Sequence, residues 1–373
     1  MITKKFNKNL LKINNINVNQ KQVFWNRFLM AFFIFLYWML IMVVCLISDN
    51  SLNDDWYIDL SENPILNLKY KGIFAYLFIG LLVPFIYGAV YEINKLFFGA
   101  YSKKTFIFML IGILTLCILP NFTFITKFYY FTPITGSSGH LNPDATSNFF
   151  TIFTLFTMTL LIGFIILLII LTYLIIDYGL LDLKSVLLFF ILNAVVGFGF
   201  FSIGFIGLLK SWLVLFFVLS VSGFTDVFAY LTGLLFGKTQ MTKVISPKKT
   251  WEGFFIGLFV TILASLLLIY FISFGDSTHN TIQDIVHVPT IYENVIGRWS
   301  FLIFLVIGIS LISTIGDLAF SFLKREYLIK DYGTLFKNHG GVLDRFDSLL
   351  FAFTLYTILL FFLSGLTESQ LFS

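Results

Sequence analysis

Polar side chains able to do chemistry crowd into two stretches of this sequence, 222–253 and 313–348. The denser one runs Gly316-Asp317-Leu318-Ala319-Phe320-Ser321-Phe322-Leu323-Lys324-Arg325, passes through Lys330-Asp331, and ends in His339-Gly340-Gly341-Val342-Leu343-Asp344-Arg345-Phe346-Asp347. On a helix Asp317, Ser321, Lys324 and Arg325 fall at i, i+4, i+7 and i+8, inside an arc of about 100°. One face then presents a carboxylate, a hydroxyl and two cations. Carboxylates ligate hard divalent ions, ammonium groups meet phosphate, and a guanidinium binds it through paired hydrogen bonds. Gly340-Gly341 can bring backbone N–H groups close to an anion, and His339 can position or donate to phosphate. Asp317 and Asp344 can share metal ions with triphosphate oxygens. A solvated charged face and an ordinary glycine turn are the plainer readings; Asp344, Arg345 and Asp347, following immediately, weigh against them.

The other stretch places Asp226, Tyr230, Gly233 and Gly237 at i, i+4, i+7 and i+11, one narrow helical face if the helix persists that far. A carboxylate near membrane depth usually turns to water, a cation or a partner, and small residues allow helices to approach closely. The connection that follows reads Ser246-Pro247-Lys248-Lys249-Thr250-Trp251-Glu252-Gly253. Two adjacent cations with Ser246 and Thr250 suit a phosphate. A positive anchor with an interfacial Trp explains Lys248, Lys249 and Trp251, but hardly the embedded Glu252.

These residues need a scaffold, and the composition says which kind. Of 373 residues 58% are hydrophobic and 12% charged, with a mean hydropathy of +0.92. That excludes an ordinary soluble protein and a disordered chain. Crossing the hydrocarbon layer takes about 20 apolar residues. Nine segments qualify, near 28–48, 72–94, 105–125, 149–176, 184–204, 211–235, 253–274, 299–323 and 347–366. The expected fold is an all-α polytopic membrane protein. It divides into a basic segment 1–27, amino-terminal membrane helices over 28–210 and a carboxy-terminal catalytic region over 211–373. The first 27 residues carry six basic and no acidic side chains and lead into an apolar run too long for a signal peptide, so an uncleaved first helix is expected. With a cytoplasmic amino terminus, 19 of the 24 basic residues fall inside, and both polar stretches face the cytoplasm. Cys45 and Cys117 lie apart in apolar runs and the four histidines are scattered, which argues against zinc; oxygen ligands and phosphate suit Mg²⁺. No P-loop or kinase glycine loop is present.

At these residues the chain resembles the phosphatidate cytidylyltransferase, or CDP-diacylglycerol synthase, family. The family's Ser-x-x-Lys-Arg, four residues, Lys-Asp, spacer, His-Gly-Gly-x-x-Asp-Arg-x-Asp pattern is met from Ser321 to Asp347, and Asp226 to Gly237 with Ser-Pro-x-Lys-Thr-Trp-Glu-Gly resembles its upstream pattern. Lys337 replaces the usual Pro or Gly, and Val227-Phe228 follow Asp226 where Thr-Gly or Thr-Ala is common. The resemblance implies a cell-membrane enzyme making CDP-diacylglycerol and pyrophosphate from CTP and phosphatidic acid. Its implied partners are those substrates, the bilayer and a second copy of the chain, with no nucleic acid. The roles that go with it are Mg²⁺ on Asp317 and Asp344, catalytic cations at Lys324 and Arg325, and phosphate contacts from Lys248, Lys249, Lys330, Ser321, His339 and Arg345. Asp226 would hold a second cation or orient Lys248 or Lys249, Asp347 would orient Arg345, and Tyr230, Glu252 and Asp331 would support the site. Rival readings are a CTP-dependent lipid kinase acting on polyprenol or another lipid, which would release CDP, and an ion-coupled transporter using Asp226 and Asp317.

Overall fold

The computed structural model describes residues 20–48, 64–98, 103–125, 143–178, 183–209, 212–242, 244–272, 295–333 and 340–366. Among them are nine helices: α1 (Gln20–Ser48), α2 (Pro64–Phe98), α3 (Lys103–Ile125), α4 (Pro143–Tyr178), α5 (Leu183–Leu209), α6 (Trp212–Phe236), α7 (Trp251–Ile272), α8 (Val295–Glu326) and α9 (Leu343–Leu366). They answer the nine expected spans one for one. Most run past the apolar segment, because hydropathy marks only the part at hydrocarbon depth while the backbone keeps its hydrogen bonds into the interface. The described residues form no strand; Gln240 and Thr250 make an isolated antiparallel bridge. Seven helices, α2 to α8, are long and apolar enough to cross a membrane, and α1 adds a shorter apolar stretch, Phe32–Cys45. The protein is a polytopic all-α membrane protein.

Helix α5 lies at the centre, against α2, α3 and α9, and its apolar span is the most buried of the seven. By contrast, only 22% of the spans of α4 and α7 is buried, which leaves their outer faces to lipid. Helices α6 and α7 pack closely because small residues meet there. A Cβ on Gly257 would lie 2.7 Å from the backbone of Ala229, and one on Gly253 2.6 Å from the Cα of Gly233. The Thr232 hydroxyl donates across this pair to the Gly253 carbonyl at 2.7 Å.

Two further polar contacts fix α6 against α8: Ser222 Oγ with Ser313 Oγ at 2.8 Å, and Thr225 Oγ1 donating to Ser310 Oγ at 2.9 Å. Each satisfies a hydroxyl where water is scarce, and together they set the register that brings the ends of α6 and α8 side by side. The start of α9 is held by rings. Phe346 has its centroid 4.8 Å from Phe85, 5.1 Å from Phe200 and 5.7 Å from Trp38, so α2, α5 and α1 all grip the turn that carries Asp344, Arg345 and Asp347.

Candidate active site

The ends of α2, α6, α8, the start of α7 and the start of α9 meet on one face of the bundle. Lys184 at the start of α5 reaches Glu326 at the end of α8 at 2.5 Å, placing another basic end on that face. Of the helix ends read as basic and co-facial in the sequence, the start of α5, the α6–α7 connection, the end of α8 and the start of α9 are together.

Between α6 and α7 the chain turns back as a small clip. Met241 N–H donates to the Lys249 carbonyl at 2.8 Å and Trp251 N–H to the Thr239 carbonyl at 3.0 Å. Glu252 closes it, accepting from the Lys238 N–H at 3.1 Å, the Thr239 N–H at 3.0 Å and the Thr239 hydroxyl at 2.6 Å. Thr250 caps α7, its hydroxyl accepting from Gly253 N–H at 3.2 Å. Ser246 shapes the turn through its backbone, its carbonyl accepting from Lys249 N–H at 3.2 Å. Thr250 and Glu252 therefore build the loop. What the loop presents is Lys248, exposed, and Lys249, turned inward to Asp317 at 2.5 Å.

That Lys249–Asp317 pair joins the two sequence motifs. Asp317 also accepts from Ser321 Oγ at 3.3 Å, so these two side chains share a face as their spacing requires. Arg325, exposed at the end of α8, turns toward the clip. Its guanidinium donates to the Ile245 carbonyl at 3.3 Å and the Ile329 carbonyl at 3.4 Å, tying the clip to the end of α8. Asp226, on α6, accepts from Ser348 Oγ at 2.9 Å. Asp317 acts electrostatically on both Asp226 and Asp347, so carboxylates from α6, α8 and α9 form one acidic group, tempered by Lys249 and Lys324. Helix α6 ends at Phe236, one residue short of Gly237. Gly233 and Gly237 both lie against Thr250, while Tyr230 is exposed.

The turn into α9 is organised around Asp344. One carboxylate oxygen accepts from Lys324 Nζ at 2.9 Å, and the other from the Tyr332 N–H at 2.9 Å and the Gly341 N–H at 2.8 Å. The pair is secluded, with side-chain exposures of 13% for Lys324 and 7% for Asp344. Gly340 adopts φ 83°, a conformation that glycine takes without a Cβ penalty. The next two N–H groups go to another carboxylate: Val342 and Leu343 donate to Glu92 at 2.7 and 2.9 Å. The glycine turn was expected to offer its backbone to an anionic ligand. Here the donors of 341, 342 and 343 serve protein carboxylates.

Tyr332 completes the turn, its hydroxyl donating to the Phe320 carbonyl at 2.9 Å. Burial, reinforced by the nearby Asp344 carboxylate, raises its phenol above the ordinary range and keeps that donor protonated. Lys330, Asp331 and Arg345 are exposed around the rim. His339 lies outside the described residues, as does Lys337.

The sequence reading missed Glu92, Tyr332 and Ser348. Glu92 had a signal, being a carboxylate within an apolar span, which is expensive there and so usually has a purpose. Tyr332 and Ser348 had none, since neither type stands out in such a context.

The carboxylates of this group offer oxygen donors, the donor chemistry of Mg²⁺, with the Lys249 and Lys324 ammonium groups beside them. Among the described residues no three acidic, His or Cys side chains enclose one point. Mg²⁺ commonly takes only one or two carboxylates, with water and substrate phosphate completing its shell, so Asp317 with a neighbouring carboxylate fits.

Among known sequences, a family model described as the Cytidylyltransferase family matches residues 65–363. The chain is 38% identical over 136 residues to a protein named phosphatidate cytidylyltransferase from Staphylococcus aureus (strain COL), covering 36% of this chain and 44% of that protein. It is 35% identical over 136 residues to the protein of the same name from Staphylococcus haemolyticus (strain JCSC1435), with the same shares. A Mycoplasma pneumoniae protein named putative phosphatidate cytidylyltransferase is 33% identical over 186 residues, 43% of this chain and 47% of that protein. The chain thus spans less than half the length of these relatives.

Proposed function

The chain belongs to the cytidylyltransferase family, and from that membership we propose that it transfers the cytidylyl group of CTP to phosphatidic acid in the cell membrane, forming CDP-diacylglycerol and pyrophosphate. The observation that carries the reading is the junction of the two charged motifs, 222–253 and 313–348, through Lys249 and Asp317 beside a basic rim. A phosphate oxygen of phosphatidate attacks the α-phosphorus of CTP, and the bond from that phosphorus to the β-phosphate bridging oxygen breaks, releasing pyrophosphate.

Both substrates are polyanions, and the rim of Lys248, Lys330 and Arg345 draws them in and holds their phosphates. Lys249 is placed to exchange its partner Asp317 for a substrate phosphate. Lys324, fixed by Asp344, presents a positive charge at the floor of the site, and Arg325 keeps the clip in register with α8. Asp317, with Asp226 or Asp347, would hold Mg²⁺, which when bound neutralises phosphate charge and orients the displacement. Asp344, read from the sequence as a metal ligand, serves in this assignment as the hub of the turn. The lipid-facing sides of α4 and α7 leave apolar surface for bilayer contact, so the acyl chains need not leave the membrane.

The test is transfer of α-³²P from labelled CTP into chloroform-extractable lipid by detergent-purified protein supplied with phosphatidic acid, with Mg²⁺ or with excess EDTA. Metal-dependent labelled lipid with release of pyrophosphate is expected. Label reaching lipid only from the γ-position, with CDP released, would instead make the protein a lipid kinase. Ion flux across sealed vesicles without nucleotide would point to a transporter.

A further inference from the structure

Glu92 is 2% exposed, deep between helices, and comes from α2, far in sequence from both motifs. Its two carboxylate oxygens accept separately from the Val342 and Leu343 N–H groups, the donors at the start of α9. Such donors carry the positive end of the helix and ordinarily favour an anion. Here the anion is part of the protein. The two glycines around it are shaped to the carboxylate: a Cβ on Gly333 would lie 2.4 Å from Glu92 Oε1, and one on Gly341 2.1 Å from it. Seven residues earlier on the same face of α2, Phe85 packs its ring 4.8 Å from Phe346. One face of α2 therefore holds the first turn of α9 twice, through a ring and through a charge. Between those two grips lie Asp344 and Arg345, and Asp347 follows directly.

We propose that Glu92 is a positioning residue for this site: a buried carboxylate of the amino-terminal half that fixes the start of α9, and so aims Asp344, Arg345 and Asp347. The proposal rests on the nucleotidyl-transfer reading for what that aim achieves, though the clamp itself is a statement about α2 and α9. With the start of α9 already satisfied, substrate phosphates are left to side-chain cations and to whatever metal ion the carboxylates hold. Glu92 touches no reacting atom, so its removal is expected to lower turnover more than to weaken CTP binding.

The full-length protein in detergent carries the test, as Glu92→Gln and Glu92→Asp, each compared with the unaltered chain by three measurements. Hydrogen exchange should speed up at the Val342 and Leu343 amides by about tenfold or more in Glu92→Gln, as the loss of a charge-assisted hydrogen bond implies. Turnover should fall by about 10- to 100-fold while the KM for CTP changes less than about threefold, the pattern of a contact that matters in the transition state. Glu92→Asp, which keeps the charge on a shorter arm, should recover part of both. Unchanged exchange at 342–343 would overturn the clamp. A lowered thermal midpoint with normal turnover per folded molecule, or only unfolded protein from both variants, would make Glu92 a fold-stabilising residue and overturn the positioning role. Absence of lipid labelling by the unaltered chain would instead defeat the functional reading, with the exchange measurement still deciding the clamp.

Discussion

The two loops that bring cations to this site are built differently. The clip over 238–250 is folded mainly from its own neighbourhood, by backbone pairing and by Glu252 thirteen residues from its partner Thr239, with Arg325 and Asp317 of α8 touching it and Val244, Pro247 and Lys248 exposed at its tip. The turn into α9 is held from far away, by Glu92 across 250 residues and by Lys324 across 20, with both clamps secluded. A loop held locally and wetted by solvent can shift its lysines to meet a substrate. A turn whose N–H groups at 341, 342 and 343 are taken by secluded carboxylates keeps that geometry before any substrate arrives, and preorganised groups of that kind serve an electrostatic transition state best. The site thus pairs an adaptable arm with a rigid floor, and Asp317 sits where the two touch.

Breaking the junction should therefore have the largest effect. Asp317→Asn removes the partner of Lys249 and the proposed metal ligand at once, and lipid labelling should drop by about a thousandfold, in keeping with several kcal/mol of lost charge stabilisation. Near-normal turnover with Mg²⁺ would take Asp317 out of the site. On the rigid side, Asp344→Asn strands Lys324 in a secluded place, where breaking one partner of an ion pair costs about 3–5 kcal/mol. Both the thermal midpoint and turnover should fall, whereas an unchanged midpoint would show that the floor does not depend on this hub.

The adaptable side should be more forgiving. Thr250→Ala removes the cap of α7 and should cost about 1 kcal/mol of stability, read as a small shift in the thermal midpoint with little change in turnover. Raising ionic strength should be milder still, increasing the KM for CTP through screening of Lys248, Lys330 and Arg345 while leaving turnover intact. A KM indifferent to salt would mean that the exposed cations do not meet the nucleotide.

Much of this was legible in the residues. The helices followed from apolar length, because a span must satisfy its backbone internally and only a helix of about 20 residues does so. Spacing placed Asp317 and Ser321 together, since a helix repeats its face at i+4. Other contacts were not legible, because a side chain's type does not reveal where its partner lies. Arg325 read as a cation for phosphate, and in the structure its guanidinium meets two backbone carbonyls; Thr250 read as a phosphate contact and Glu252 as a supporting group, and both hydrogen-bond within the loop they belong to. The Gly340-Gly341 pair read as an open anion nest, yet the donors beside it are occupied.

What the sequence determined by itself was the membrane class, the helices and the list of charged groups, all of which depend on local spacing and on the cost of polarity in lipid. Only the tertiary structure decided which of those charges meet. Lys249 finds Asp317, Lys324 finds Asp344, and Glu92 finds the start of α9, because small residues let α6 and α7 close up and aromatic packing seats α9 against α2. Contacts across 250 residues leave no mark on local composition, so although a carboxylate in an apolar span marks Glu92 as unusual, its partner emerged only once α2 and α9 were seen side by side.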